Sequence, residues 1–146
     1  MSNLALIVVI GLAGGMAVAL QAPLASAIGQ RLGMLESVFI VHLGGLLVVA
    51  VPLLLMGGGR LAQWQTVPPL NLAAGVFGVA VVASTVFTVP RIGAAAAIVL
   101  IITGQLCIAA MIDHFGLFGV ILKPLSLHRF MGLALVLLGA WWALRH

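Results

Sequence analysis

Charge is almost absent from five long stretches of this chain: residues 1–30, 37–59, 61–90, 92–112 and 130–144 contain no Asp, Glu, Lys or Arg. A charge at the middle of a bilayer costs a few kcal/mol or more, so charged residues mark the edges of membrane spans. A soluble domain carries roughly 25% charged residues, whereas this chain has 5%, with 64% hydrophobic residues and a mean hydropathy of +1.38. A core small enough for 146 residues cannot hide that much apolar surface from water. The chain is therefore expected to be integral to a membrane and all-α.

A spanning helix takes about 20 apolar residues, which leaves room for five spans in one membrane domain covering 1–146 and none for a soluble domain. The expected spans are Leu4 to Ala27, Ser37 to Met56, Leu70 to Val89, Ile92 to Ile112 and Leu127 to Leu144. Breakers lie where the chain has to turn: Gly57-Gly58-Gly59-Arg60, Val67-Pro68-Pro69, and Pro90-Arg91 followed by Gly93. The longest link, Asp113 to Ser126, contains Lys123-Pro124. Arg129 and Arg145 lie too close for a full span, so both are expected to snorkel toward the headgroups, with Trp64, Trp141 and Trp142 in the aromatic belt. Ala25-Ser26-Ala27 resembles a signal-peptide cleavage site. No basic residue precedes the apolar run, so residues 1–28 read as a retained first helix.

Several function classes are excluded. The six basic residues are isolated singles from Arg31 to Arg145 and build no patch for a nucleic acid. The single cysteine, Cys107, precludes an intrachain disulfide and a cysteine-rich metal site, and it reads as a small buried hydrophobe. No metal or cofactor is expected. Neither Gly-x-Ser-x-Gly nor His-Glu-x-x-His occurs, which argues against an enzyme.

Five spans put the termini on opposite sides. Arg60, Lys123 and Arg129 then fall on the N-terminal side, and Arg31, Arg91 and Arg145 on the other. Orientation follows an excess of Lys and Arg in the cytoplasmic loops, and three against three gives none. The expectation is dual topology with pairing as an antiparallel homodimer in the lipid bilayer, a ten-helix assembly with the inverted symmetry common among secondary transporters. Small residues offer close helix approach: Gly11, Gly15 and Ala19 in the first span, Gly44-Gly45, Gly75 and Gly78, and Gly132 with Gly139. The first of these stripes packs either within the subunit or against a second copy.

Polar residues inside spans are site candidates. Gln21 precedes Pro23, and its amide serves either a substrate or the backbone carbonyl that the proline frees. Gln105 lies beside Gly104, with Thr103 near it, and reads as substrate-binding. His42 either carries a coupled proton and contacts substrate, or bonds one helix to another. The only acids, Glu36 and Asp113, sit at span ends, either as gates and coupling groups with Arg31 or His114 as partners, or as helix-end anchors.

Taken together, Gln21 in a Gly- and Ala-rich first helix, Gly104-Gln105, the run Ile112-Asp113-His114-Phe115-Gly116 with Leu117-Phe118-Gly119, and Arg129 with Gly132 resemble the YdcZ-like family of small membrane proteins. That family is placed in the drug/metabolite transporter superfamily, whose longer members carry two inverted five-helix repeats. The resemblance implies half of such a ten-helix transporter. The expected function is a secondary transporter of a small metabolite or drug-like solute in a bacterial inner membrane. The alternatives are a dual-topology ion channel and a subunit of a hetero-oligomeric transporter.

Overall fold

The computed structural model describes residues 2–145, with side chains from residue 4 onward, and all of the regular structure in it is helical. In order these are α1 (Ser2–Leu32), α2 (Met34–Leu55), a 3-10 segment (Leu61–Thr66), the one-turn α3 (Pro69–Leu72), α4 (Ala74–Ile92), α5 (Ala94–Phe115), a short 3-10 turn (Leu117–Gly119) and α6 (Leu127–Ala143). Four segments are long and apolar enough to cross a membrane: Leu4–Leu32, Met34–Leu55, Pro69–Ile92 and Ala94–Phe115. Helices suit lipid because every interior backbone N–H and C=O is bonded within the segment.

The fifth expected span, α6, is shorter than the rest. Its 17 residues rise about 26 Å, under the roughly 30 Å of a hydrocarbon core. Ser126 caps the start of the helix by accepting a hydrogen bond from the Arg129 N–H at 3.3 Å. The first helix instead runs beyond the expected Ala27 to Leu32, which places Arg31 in its last turn, where a cation complements the helix dipole. A single residue, Gly33 with φ +119, separates α1 from α2, and Gly93 with φ +82 separates α4 from α5 in the same way. Gly93 fits the tight joint expected after Pro90-Arg91. Gly33 was not anticipated as a one-residue turn, because no proline announces it.

The chain divides into two units, Met1–Arg91 and Ile92–His146. The core of the first is small: Ala25 of α1, Val38 of α2, and Val82 and Val86 of α4, with Val41 and Ala83 packed against it. The face of α1 that packs is Ala22, Ala25, Ser26 and Gly29, at the i, i+3, i+4, i+7 spacing of one helical stripe. A methyl group on Gly29 would overlap Val86 Cγ1, so glycine is what allows α4 this close. The buried Ser37 donates its hydroxyl to the Ala25 carbonyl at 2.7 Å and fastens α2 to α1. The stripe at Gly11, Gly15 and Ala19 lies exposed, and a Cβ added at Gly11 or Gly15 would meet nothing within 4 Å. Large apolar side chains cover the outside of every long helix, Leu55 at 84% exposure among them. Such a surface belongs in lipid or against another subunit.

In the second unit α5 and α6 form a helical hairpin. Gly116, in the left-handed conformation, ends α5, and the extended segment after Gly119 returns the chain to the start of α6. Cys107 is exposed on α5 and is not the buried hydrophobe expected of it. In a helix whose outward face meets lipid, apolar character does not imply burial inside the protein.

Candidate functional site

Where α5 meets α6, four charged or polar groups converge. Asp113 lies in the last turn of α5, the negative end of the helix dipole, where a carboxylate is disfavoured unless a cation answers it. Arg129, in the first turn of α6, does so: its Nη2 donates to Asp113 Oδ2 at 2.6 Å, with the two side chains 39% and 28% exposed. Its Nη1 donates to the Lys123 carbonyl at 2.9 Å, and the Lys123 N–H donates to the Asp113 carbonyl at 2.8 Å. Arg129 therefore turns inward to hold the connection instead of snorkelling freely. The ion pair lines a cleft of about 390 Å³ together with Ala109 and Ala110 of α5 and Gly132 of α6. Arg31 and His114, the expected partners of the acids, form no ion pair among the described residues, and Asp113 pairs with Arg129 instead. The helical hairpin was the available signal, since it sets the last turn of one helix beside the first turn of the next.

His114 belongs to the same cluster. Its Nδ1 accepts the Leu125 N–H at 3.0 Å, and its ring meets that of Phe115 edge to face, with centroids 4.8 Å apart. Arg145, at the far end of α6, lies over the Trp141 ring at 3.6 Å from its centroid, an arrangement that suits an interfacial anchor.

In the first unit, His42 Nδ1 lies 2.8 Å from the Val38 carbonyl. A carbonyl oxygen only accepts, so Nδ1 carries the hydrogen, and in the neutral ring Nε2 is left with a lone pair. That Nε2 lies over Gly78 of α4, so closely that a Cβ there would meet it at 3.3 Å. The ring borders an apolar groove of about 410 Å³ along α2, with Val38, Phe39, Leu46 and Val79 also in its lining. His42 is the one polar side chain there, able to accept a hydrogen bond or a proton without surrendering its bond to Val38.

Gln21 lies exposed on α1 in the first unit and Gln105 exposed on α5 in the second, and neither amide has a hydrogen-bond partner among the described residues. Thr103 spends its hydroxyl hydrogen on the Val99 carbonyl one turn back, as Ser84, Thr85 and Thr88 do on α4. The two glutamines share this unpartnered state with Asn71 and His128 among the described in-span residues. Glu36 is exposed in the first turn of α2, its carboxylate folded over Gly33. The described residues contain no cluster of three or more His, Cys, Asp or Glu able to hold a metal.

Long apolar helices joined by one-residue glycine turns define an integral membrane protein. The family model described as "Putative inner membrane exporter, YdcZ" matches residues 6–142, and the chain belongs to that family. It is accordingly a transporter of the drug/metabolite type rather than an enzyme. No curated protein and no solved structure matches it.

Proposed function

We propose that the chain works in a bacterial inner membrane as an antiparallel homodimer that moves a small metabolite or drug-like solute by alternating access. The observation that carries this reading is the even division of basic residues, three on each side of a five-span chain, which leaves nothing to favour one orientation. Two copies inserted in opposite senses supply the inverted repeats on which many secondary transporters are built, with substrate bound near the midplane. The open glycine stripe of α1 and the bare Gly44-Gly45 of α2 support the reading, since close backbone approach is what joins helices in lipid.

In this assembly Gln21 and Gln105 supply hydrogen bonds to the solute, and His42 offers its Nε2 as acceptor or proton carrier. Glu36 of one copy comes to the same membrane face as Asp113 and His114 of the other, and these three act as gating or coupling groups. Opening such a gate breaks the Asp113–Arg129 pair.

The test begins with topology. In a Cys107→Ser background, a single cysteine at position 2 or 146 is labelled in intact cells with a membrane-impermeant maleimide. Labelling of about half the molecules at each position is expected, whereas all-or-none labelling defeats the antiparallel homodimer. Proteoliposomes should then show saturable flux of a solute from a metabolite panel, lost in Gln105→Leu with expression and dimer retained. Unsaturable, voltage-driven current would replace the carrier with a channel.

A further inference from the structure

We propose that His114 is a proton-operated latch that holds the α5–α6 connection closed while its imidazole is neutral and releases it on protonation. The argument starts from the one bond that its ring makes to the connection. The donor is the Leu125 backbone N–H, at 3.0 Å from Nδ1. A backbone N–H can only donate, so Nδ1 must present a lone pair and the ring hydrogen sits on Nε2. An imidazolium carries hydrogen on both nitrogens and has no lone pair to offer. Gaining a proton therefore converts this contact from N–H···N into two opposed N–H groups, and the bond that holds Leu125 is lost. His42 behaves in the opposite way, since a proton added to its Nε2 leaves the bond to Val38 in place.

What Leu125 borders gives the latch its consequence. His114 and Leu125 together line an open apolar groove of about 370 Å³ along α5 and α6, with Cys107, Phe130 and Leu137 also in its lining. Displacing Leu125 reshapes that groove on the side of the connection, and its lining suits an apolar or aromatic group. The chain upstream is held by other means: the Lys123 N–H to the Asp113 carbonyl, and Arg129 to Asp113 and to the Lys123 carbonyl. Pro124 has no N–H to contribute. The movement is thus confined to Leu125 and the residues leading into α6. The charged and titratable groups on the elements packed around the ring are Cys107 and Asp113 on its own helix, Lys123 in the connection, and His128 and Arg129 on α6. Asp113 is already engaged by Arg129.

Backbone hydrogen exchange of the whole protein in detergent micelles reads the latch directly. Between about pH 8 and about pH 5, the range in which imidazoles change charge, the protection factor of the Leu125 amide should fall roughly three- to tenfold, the worth of one hydrogen bond. The Lys123 amide, bonded to a carbonyl, is the internal control and should keep its protection. His114→Asn places an amide oxygen near the position of Nδ1 and should hold Leu125 at both pH values. A Leu125 protection factor that does not change with pH overturns the proposal, as does an equal fall at Lys123 or in His114→Asn. The readout is local to one hairpin, so its failure is distinct from any failure of the transport reading.

Discussion

Replacing Gly29 with alanine tests the packing of the first unit at its tightest point. Two effects compete. Alanine is the better helix former by about 1 kcal/mol, and in open space that gain would stand alone. At position 29 the new methyl overlaps Cγ1 of Val86 and also reaches its Cβ and Cγ2 at 3.4 Å. Valine is stiff about χ1 and buried here, so it cannot swing clear. Overpacking of this kind costs about 1–3 kcal/mol, which offsets the propensity gain and leaves Gly29→Ala destabilised by up to roughly 2 kcal/mol. Gly11→Ala, where nothing lies within 4 Å, should be neutral or stabilising. Combining Gly29→Ala with Val86→Ala lets one methyl fill the space vacated by the other, so the pair should be less unstable than the sum, by about 0.5–3 kcal/mol. Reversible unfolding in mixed micelles, followed by circular dichroism, supplies all four corners of the cycle. Equal behaviour of Gly29→Ala and Gly11→Ala, or strict additivity with Val86→Ala, would refute the close approach of α1 and α4.

Two further outcomes follow from specific bonds. Ser37→Ala removes the buried donor to the Ala25 carbonyl and should cost about 0.5–1.5 kcal/mol in the same unfolding assay; an unchanged midpoint would mean that the hydroxyl does not join α1 to α2. Neutralising either Asp113 or Arg129 should loosen the connection, because each leaves its partner unpaired. The pair is partly exposed, so the loss is about 1 kcal/mol, read as up to roughly fivefold faster proteolysis between residues 116 and 126. Exchanging the two as Asp113→Arg with Arg129→Asp should recover much of the resistance, and cleavage as fast as in the single variants would show that the ion pair is not the fastening.

The positions of the helices were legible because the bilayer forbids most alternatives. Arg31, Glu36, Arg91 and Asp113 lie within a few residues of ends of the long helices, and the spacing of Arg129 and Arg145 already marks α6 as short. Helix contacts were not legible in the same way. Gly11-Gly15-Ala19 and Ala22-Ser26-Gly29 are both stripes of small residues on one helix, and nothing in their own spacing says which is used. The choice is made by the neighbours: Val82 and Val86 face the second stripe, and Ser37 reaches the carbonyl of Ala25 beside it. The partner of Asp113 was hidden for a related reason, because 16 residues of sequence separate it from Arg129 and only the returning connection brings the two side by side.

The same distinction governs the histidines. The sequence offers His42, inside its span, as a group able to carry a proton, and His114, at a span end, as a gating or pairing group. Their hydrogen-bond partners separate them. His42 donates from Nδ1 to a carbonyl and keeps Nε2 free, so that a proton can arrive and leave without disturbing the backbone around Val38. His114 accepts at Nδ1 from a peptide N–H, so that a proton arriving there breaks the bond that holds Leu125. The first arrangement suits a carrier of protons, and the second converts protonation into movement of a connection. The assignment follows from which end of a peptide group each ring meets: a carbonyl fixes hydrogen on Nδ1, whereas an N–H excludes it. The two histidines thus differ in what a proton does to the backbone beside them, and they lie one in each unit of the chain.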